Sequence, residues 1–284
     1  MIKNYFMLFA LLPLFPGNLF SQETDLAERD ERLFNAYIEQ ISPYKTETME
    51  IIMEKTARFF LEIPYVAHTL DLNTDEALVV NLKELDCVTY VETVLALSFT
   101  ARSNNLSMNY FKEMLTKIRY RTNEITDYAS RIHYTSDWVF ENEKNGLLKN
   151  ISKGLSGIKE TKKIDFMSAH RNAYKQLAND DAMLEKIGDI ENRINDRGGF
   201  YYLPKHLIAA KANDIPHMAV IGFVTSIDGL DISHVGFAYH KNDKLTFIHA
   251  STAEMKVVID AKSLSDYCFS QKNCKGIVVA KVSS

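Results

Sequence analysis

Three side chains in this sequence could carry nucleophilic chemistry if the fold brings them together. Cys87 opens the apolar run "DCVTYVETVLALSF", His234 lies in "DISHVGFAY" and His249 lies in "LTFIHAS". Asp86 can cap a helix by accepting bonds from its free N–H groups, and Leu85 is placed to staple the chain as it turns in. Cys87 would then occupy the first turn, where unpaired amides and the helix dipole favour an anion. A lowered thiol pKa and a solvent-facing nucleophile are therefore expected. A cysteine on an apolar helix face is also ordinary packing, and the histidines weigh between the two readings. An imidazole in an apolar strand must find a partner, because an unpaired buried polar group is unfavourable. Two such strands joined by a short turn place His234 beside His249 if both share a face. Cys87 as nucleophile, His234 as base and His249 as the group fixing the base's tautomer meet the needs of cysteine catalysis. His68, His170, His206, His217 and His240 sit in ordinary surroundings and read as surface or capping residues. There is no CxxC pair, no HExxH and no His/Cys cluster at zinc spacing, so neither metal nor cofactor is expected.

The cysteine count adds to this. "MIKNYFMLFALLPLFPGNLFSQ" has a basic start, an apolar run too short to span a bilayer, a Pro16-Gly17 break and Ser21. That is the order of a secretory signal peptide cut near Ser21, and it implies an exported, oxidising setting. No cysteine lies near the cut, which argues against a lipid anchor. Cys268 and Cys274 are close enough in sequence for a small-loop disulfide, which would leave Cys87 as the odd thiol. The net charge of −4 and the lack of a Lys/Arg-rich run argue against a nucleic-acid partner. No second apolar stretch reaches membrane-spanning length.

The elements that must position these groups follow from periodicity. Helical spacing runs from Leu26 to about Ile63, from Cys87 through Val91, Val94, Leu95 and Ser98, from Ser107 to Tyr120, and from roughly Ala169 to Asn195. The stretch "YRTNEITDYASRIHYTSDWVFENEKNG" is rich in aromatic and polar residues with weak periodicity, and reads as a long surface loop carrying recognition groups. After Pro204 the period becomes two: "HMAVIGFVTS", "ISHVGFAYH", "KLTFIHAST", "KVVI" and "GIVVAKV" are strands separated by turn-forming groups. Helices first and an antiparallel sheet afterwards predict an α+β protein. The expected organisation is a leader over 1–21 and one catalytic domain over 22–284, helical over about 26–195 and sheet over about 200–284.

In that order, "LDCVTYVETVLAL", "GLDISHVGFAY" and "FIHAST" resemble the motifs of the NlpC-type cell-wall cysteine peptidases, a papain-like superfamily. Within it the chain is most similar to the N-acetylmuramoyl-L-alanine amidase-like family. "IPYVAHTLD" ahead of the cysteine and "YR…YASRIHYTSDW" after it extend the likeness from about residue 45 onward. Two departures are His68, where a small residue or glycine would be expected, and "DIPHMAVIGF", which lacks a Gly-Asp before the first core strand. The resemblance implies a papain-like helical part packed on an antiparallel sheet or half-barrel. It also implies hydrolysis of the amide between N-acetylmuramic acid and L-alanine through a thioester on Cys87, with backbone N–H groups at the helix start as oxyanion donors. A D-glutamyl–diamino-acid endopeptidase with the same machinery and a non-catalytic envelope module are the alternatives. Asp86 serves either as helix cap or as receiver of a free stem amine, and Tyr65 either lines the site or packs in the core. Arg131, His133, Tyr134 and Trp138 are candidates to grip peptide and sugar, with Trp138 equally a core anchor, and Ser233 completes the set. The implied partners are peptidoglycan fragments met by a periplasmic monomer without stable membrane insertion.

Overall fold

The computed structural model describes residues 17–73 and 75–283, with side chains from Glu28 onward. Residues 1–16 of the expected leader lie outside the described residues. The N-terminal part is helical: α1 (Gly17–Ile41), α2 (Met49–Phe59), α3 (Cys87–Arg102) and α4 (Met108–Arg119). Thr48 caps α2, Asp86 caps α3 and Ser107 caps α4, each side chain accepting from a backbone N–H three residues on. The sequence suggested one buried face for α3, yet residues from Thr89 to Ala101 are buried on nearly every side. It is a core helix rather than a surface one. Two of its hydroxyls are satisfied within the helix, Ser98 donating to Val94 O and Thr100 to Ala96 O, whereas Glu92 pairs with Arg119 of α4.

The middle of the chain corrects the surface-loop expectation. It holds α5 (Thr135–Lys144), and Tyr128, Arg131, Tyr134 and Trp138 within it are all buried. Asp137, fully buried, is clamped by Arg121 and Arg197 at 2.5 and 2.6 Å. The i, i+4 pair Tyr134 and Trp138 was the helical signal in this stretch. Two strands, β1 (Leu148–Asn150) and β2 (Ile158–Glu160), and three helices, α6 (Phe166–Ala169), α7 (Lys175–Ala178) and α8 (Asp181–Asp196), complete this part.

The C-terminal part supplies β3 (Phe200–Pro204), β4 (Val220–Thr225), β5 (Ile232–Lys241), β6 (Lys244–Ser251), β7 (Lys256–Ile259), α9 (Leu264–Ser270) and β8 (Cys274–Val282). The strand order is β2-β3-β8-β4-β5-β6-β7, antiparallel throughout, with β1 also paired to β8. Strand residues alternate between two cores. Val220, Phe237, Ile248 and Val278 pack with the N-terminal helices, whereas Ile221, Phe223, Phe247 and Val279 pack with α9. The molecule is therefore α+β, with α3 laid against one face of the sheet. Cys268 and Cys274 form a disulfide that ties α9 to the start of β8, leaving Cys87 as the free cysteine. Among the described residues no helix is long and apolar enough to cross a membrane.

Candidate active site

Cys87 is the first residue of α3, held by a reciprocal capping box. Thr89 N–H donates to Asp86 Oδ1 at 2.7 Å, and Asp86 N–H donates to Thr89 Oγ1 at 2.9 Å. Leu85, fully buried, anchors the approach. The thiol's acidity departs from the sequence expectation. Burial first, and then the neighbouring Asp86 carboxylate, push the Cys87 thiol up to about 12. Backbone N–H groups of Val235, Cys87 and Val88 favour the thiolate but do not outweigh those two effects. At rest the group is a neutral thiol.

The strand histidines do come together. His234 Nε2 lies 2.6 Å from His249 Nδ1. Two local features arrange this. Phe223 pairs with His234 but Val224 pairs with Ile232, so Ser233 is the extra residue of a β-bulge that re-aims His234. Gly236 then lets β6 approach, since a Cβ there would meet Ile248 O at 2.8 Å and His249 Cβ at 2.9 Å. Behind His249, its Nε2 lies 3.3 Å from Asp260 Oδ2, just past the end of β7. That contact lies off the N–H axis, and we read it as electrostatic more than as a straight hydrogen bond.

The order of these contacts assigns the protons. With His249 presenting Nε2–H to Asp260, its Nδ1 accepts from His234 Nε2–H, which leaves His234 Nδ1 as the open acceptor. Burial, then the adjacent His249, hold His234 down at about 3, so it is a neutral imidazole. Burial alone would raise Asp260, but the His249 imidazole and the Lys262 amide hold it below the usual range. The row thus runs from a neutral thiol through a neutral His234 imidazole and the His249 ring to the Asp260 carboxylate. Sequence reading missed Asp260; its only signal was an acid closing the apolar strand "KVVI" beside the strand that carries His249.

Around Cys87 the other candidates divide. A cleft of about 350 Å³ is lined by Tyr65, Asp86, Val88, Arg131, His133 and Tyr134, among others. Burial, then Cys87 and Asp86, push the Tyr65 hydroxyl up to about 12, which places it within electrostatic reach of the sulfur. Arg131 is only 5% exposed, and its guanidinium is held by Asp71 at 2.6 Å. His133 Nε2 bonds Tyr128 O, and burial keeps its pKa at about 3. Tyr134 donates to Glu191 and accepts from the Met167 amide. Trp138 is 4% exposed and packs in the main core, so its indole presents no open face for a sugar. Ser233 is exposed on the bulge, its hydroxyl 3.4 Å from Phe223 O. His68, where a small residue or glycine was expected, has a positive φ of 62°, the backbone geometry glycine adopts freely. Among the described residues no group of three or more His, Cys, Asp or Glu could hold a metal.

A profile of the N-acetylmuramoyl-L-alanine amidase-like family matches residues 55–277. The chain belongs to this family. A crystal structure of an N-acetylmuramoyl-L-alanine amidase from Bacteroides uniformis is similar, with a TM-score of 0.77 at 36% identity, covering 82% of this chain and 99% of that one. A second structure of such an amidase from the same species gives 0.75 at 34%, over 83% and 99%. A Bacteroides fragilis protein provisionally named a xylanase gives 0.76 at 32%, over 80% and 98%. No curated protein matches the sequence. For this family member, the match spans Cys87, His234, His249 and Asp260 together.

Proposed function

We propose that the protein is a cysteine amidase of the NlpC-type, papain-like kind that cleaves the N-acetylmuramoyl–L-alanine amide of peptidoglycan fragments. The observation that carries this reading is the row Asp260–His249–His234 ending in an open imidazole nitrogen, beside a cysteine at a capped helix start. The amidase-like family and the Bacteroides uniformis neighbours support the choice of bond. His234 Nδ1 takes the Cys87 proton as the sulfur attacks the lactyl carbonyl. The imidazolium so formed is balanced by Asp260 through His249. Backbone N–H groups at the start of α3 stabilise the oxyanion. His234 then protonates the departing L-alanine nitrogen, and water, deprotonated by His234, cleaves the thioester and restores the thiol. Asp86 serves as the cap. A xylanase would set two carboxylates across a glycosidic bond; a thiol and an imidazole at the centre suit an acyl carbon instead. The leader sequence supports export to the periplasm, where soluble muropeptides would be met.

Incubating the purified protein with a defined muropeptide and weighing the products tests the reading. Release of an intact peptide beginning with L-alanine is expected, and loss of roughly 10⁴-fold or more in Cys87→Ala, with unfolding unchanged. Release of a shortened dipeptide fragment points to the endopeptidase, and full activity in Cys87→Ala ends the cysteine mechanism.

A further inference from the structure

Two cavities border the candidate row at its two ends, one against Asp86 and Val88, which flank Cys87, and the other against Asp260. The first is the cleft already described, walled by Tyr65, Asp86 and Val88 and holding the guanidinium groups of Arg119 and Arg131. The second, about 630 Å³, is walled by Asp260 and Tyr267 at its inner end and by Ser251, Thr252, Lys262 and Gln271 further out. Asp260 is thus both the end of the histidine row and part of a cavity wall. The Tyr267 ring lies 6.2 Å from His234 and 5.8 Å from His249, centroid to centroid. One space thus lies against the cysteine end of the row and the other against its carboxylate end, so an amide held at the row would have room for a substantial group on each side.

The two walls differ in chemistry. The cleft is lined by guanidinium and carboxylate groups, Arg131 paired with Asp71 and Glu76 and Arg119 with Glu92, a polar wall along which a peptide can run. The second cavity carries no guanidinium; its lysines Lys256 and Lys262 are engaged by Glu62 and by the Ser270 hydroxyl, and hydroxyl, amide and carboxylate groups make up much of the rest. An amide-linked muramoyl ring is uncharged, with hydroxyls at its edge and a C–H face that packs on an aromatic ring. Trp138, the platform suggested by sequence, is buried. Tyr267 is half-buried, packed by Phe247 at 4.6 Å and Phe223 at 4.9 Å, and borders the cavity.

We propose that the cavity between Asp260 and Tyr267 is the glycan subsite, with Tyr267 as the platform for the muramoyl ring and the stem peptide leaving through the Tyr65–Arg131 cleft. This rests on the amidase reading above. The test compares N-acetylmuramoyl-L-alanyl-D-glutamate with N-lactoyl-L-alanyl-D-glutamate, which lacks the sugar. The ratio of their kcat/KM values should fall roughly tenfold in Tyr267→Ala and in Thr252→Trp, a change at the exposed rim that fills the cavity. An equal fall on both substrates, leaving the ratio unchanged in both variants, overturns the proposal and leaves Tyr267 acting on the imidazoles alone. Binding gives an answer independent of turnover. Free N-acetylglucosaminyl-N-acetylmuramic acid should shift NMR signals of Tyr267 and Thr252, and shifts centred on Tyr65 and Arg131 would reverse the assignment. Wild-type protein that binds the disaccharide at Tyr267 but cleaves neither substrate would remove the amidase reading while keeping the subsite.

Discussion

Helix α3 has buried polar groups at two levels, and they are handled in opposite ways. At its N-terminus the row Cys87, His234, His249 begins with a thiol and an imidazole held neutral and ends on the Asp260 carboxylate. Further along α3, Glu92 is buried in direct contact with Arg119 of α4, Arg119 Nε donating to Glu92 Oε2 at 2.6 Å and Nη1 to Val79 O at 2.7 Å. Burial raises the Glu92 pKa, and Arg119 draws it back. The closed pair fixes where α4 sits on α3, and with it the cleft wall to which both residues contribute. The open row keeps one nitrogen unengaged so that a proton can move. Stillness comes from mutual saturation and reactivity from a chain with a free end.

The largest way to break this contrast is to open the closed pair. Arg119→Met leaves Glu92 buried without its cation, and unfolding in urea should show a loss of about 3–5 kcal/mol. Replacing both residues together with apolar ones should recover much of it. A loss below about 1 kcal/mol in the single variant would mean that the pair is idle, in the manner of a surface ion pair.

A smaller effect is expected at the end of the open row. Asp260→Asn keeps size and shape but removes the charge that orients His249 and balances the His234 imidazolium. We expect kcat to fall roughly 10²-fold with little change in stability. Unchanged kcat would mean that His234 is oriented without Asp260, and the row would end at His249.

Some of this was legible in the residues and some was not. Cys87, His234 and His249 each sat in a setting that asked for a partner, and the five strands after Pro204 were plain from their alternation. The N-cap at Asp86 was readable because capping is local, needing only a short polar side chain before an apolar run. What the sequence hid was non-local. Asp260 matters through the pairing of β6 with β7, which brings the end of one strand beside the middle of the other. Tyr267 matters because α9 folds back on the sheet, and no pattern within "SLSDYCFS" announces that. Trp138 could be read from sequence as a recognition residue or equally as a core anchor, because aromatics in a loop serve as either. Its burial comes from α5 docking on the core, with Asp137 beside it held by arginines 16 and 60 residues away in sequence. The helix-start rule for Cys87 failed in sign because it counts amides and omits desolvation, which a sequence does not display.

That sign leads to the smallest expected effect. With the thiol pushed up to about 12 and His234 down at about 3, neither group changes charge between pH 5 and 9. Alkylation of Cys87 by iodoacetamide should therefore be slow at pH 7 and rise about tenfold per pH unit through pH 10, following the thiolate fraction. A rate already level near pH 7 would instead indicate a thiolate–imidazolium pair at rest. Asp86→Asn sharpens the point, because asparagine still caps a helix while losing the charge that raises the thiol. Removing a nearby negative charge stabilises the thiolate, so its pKa falls and alkylation at any one pH below it should quicken several-fold. A slower reaction in Asp86→Asn would mean that the carboxylate's contribution is to positioning, and that the neutral thiol owes its state to burial alone.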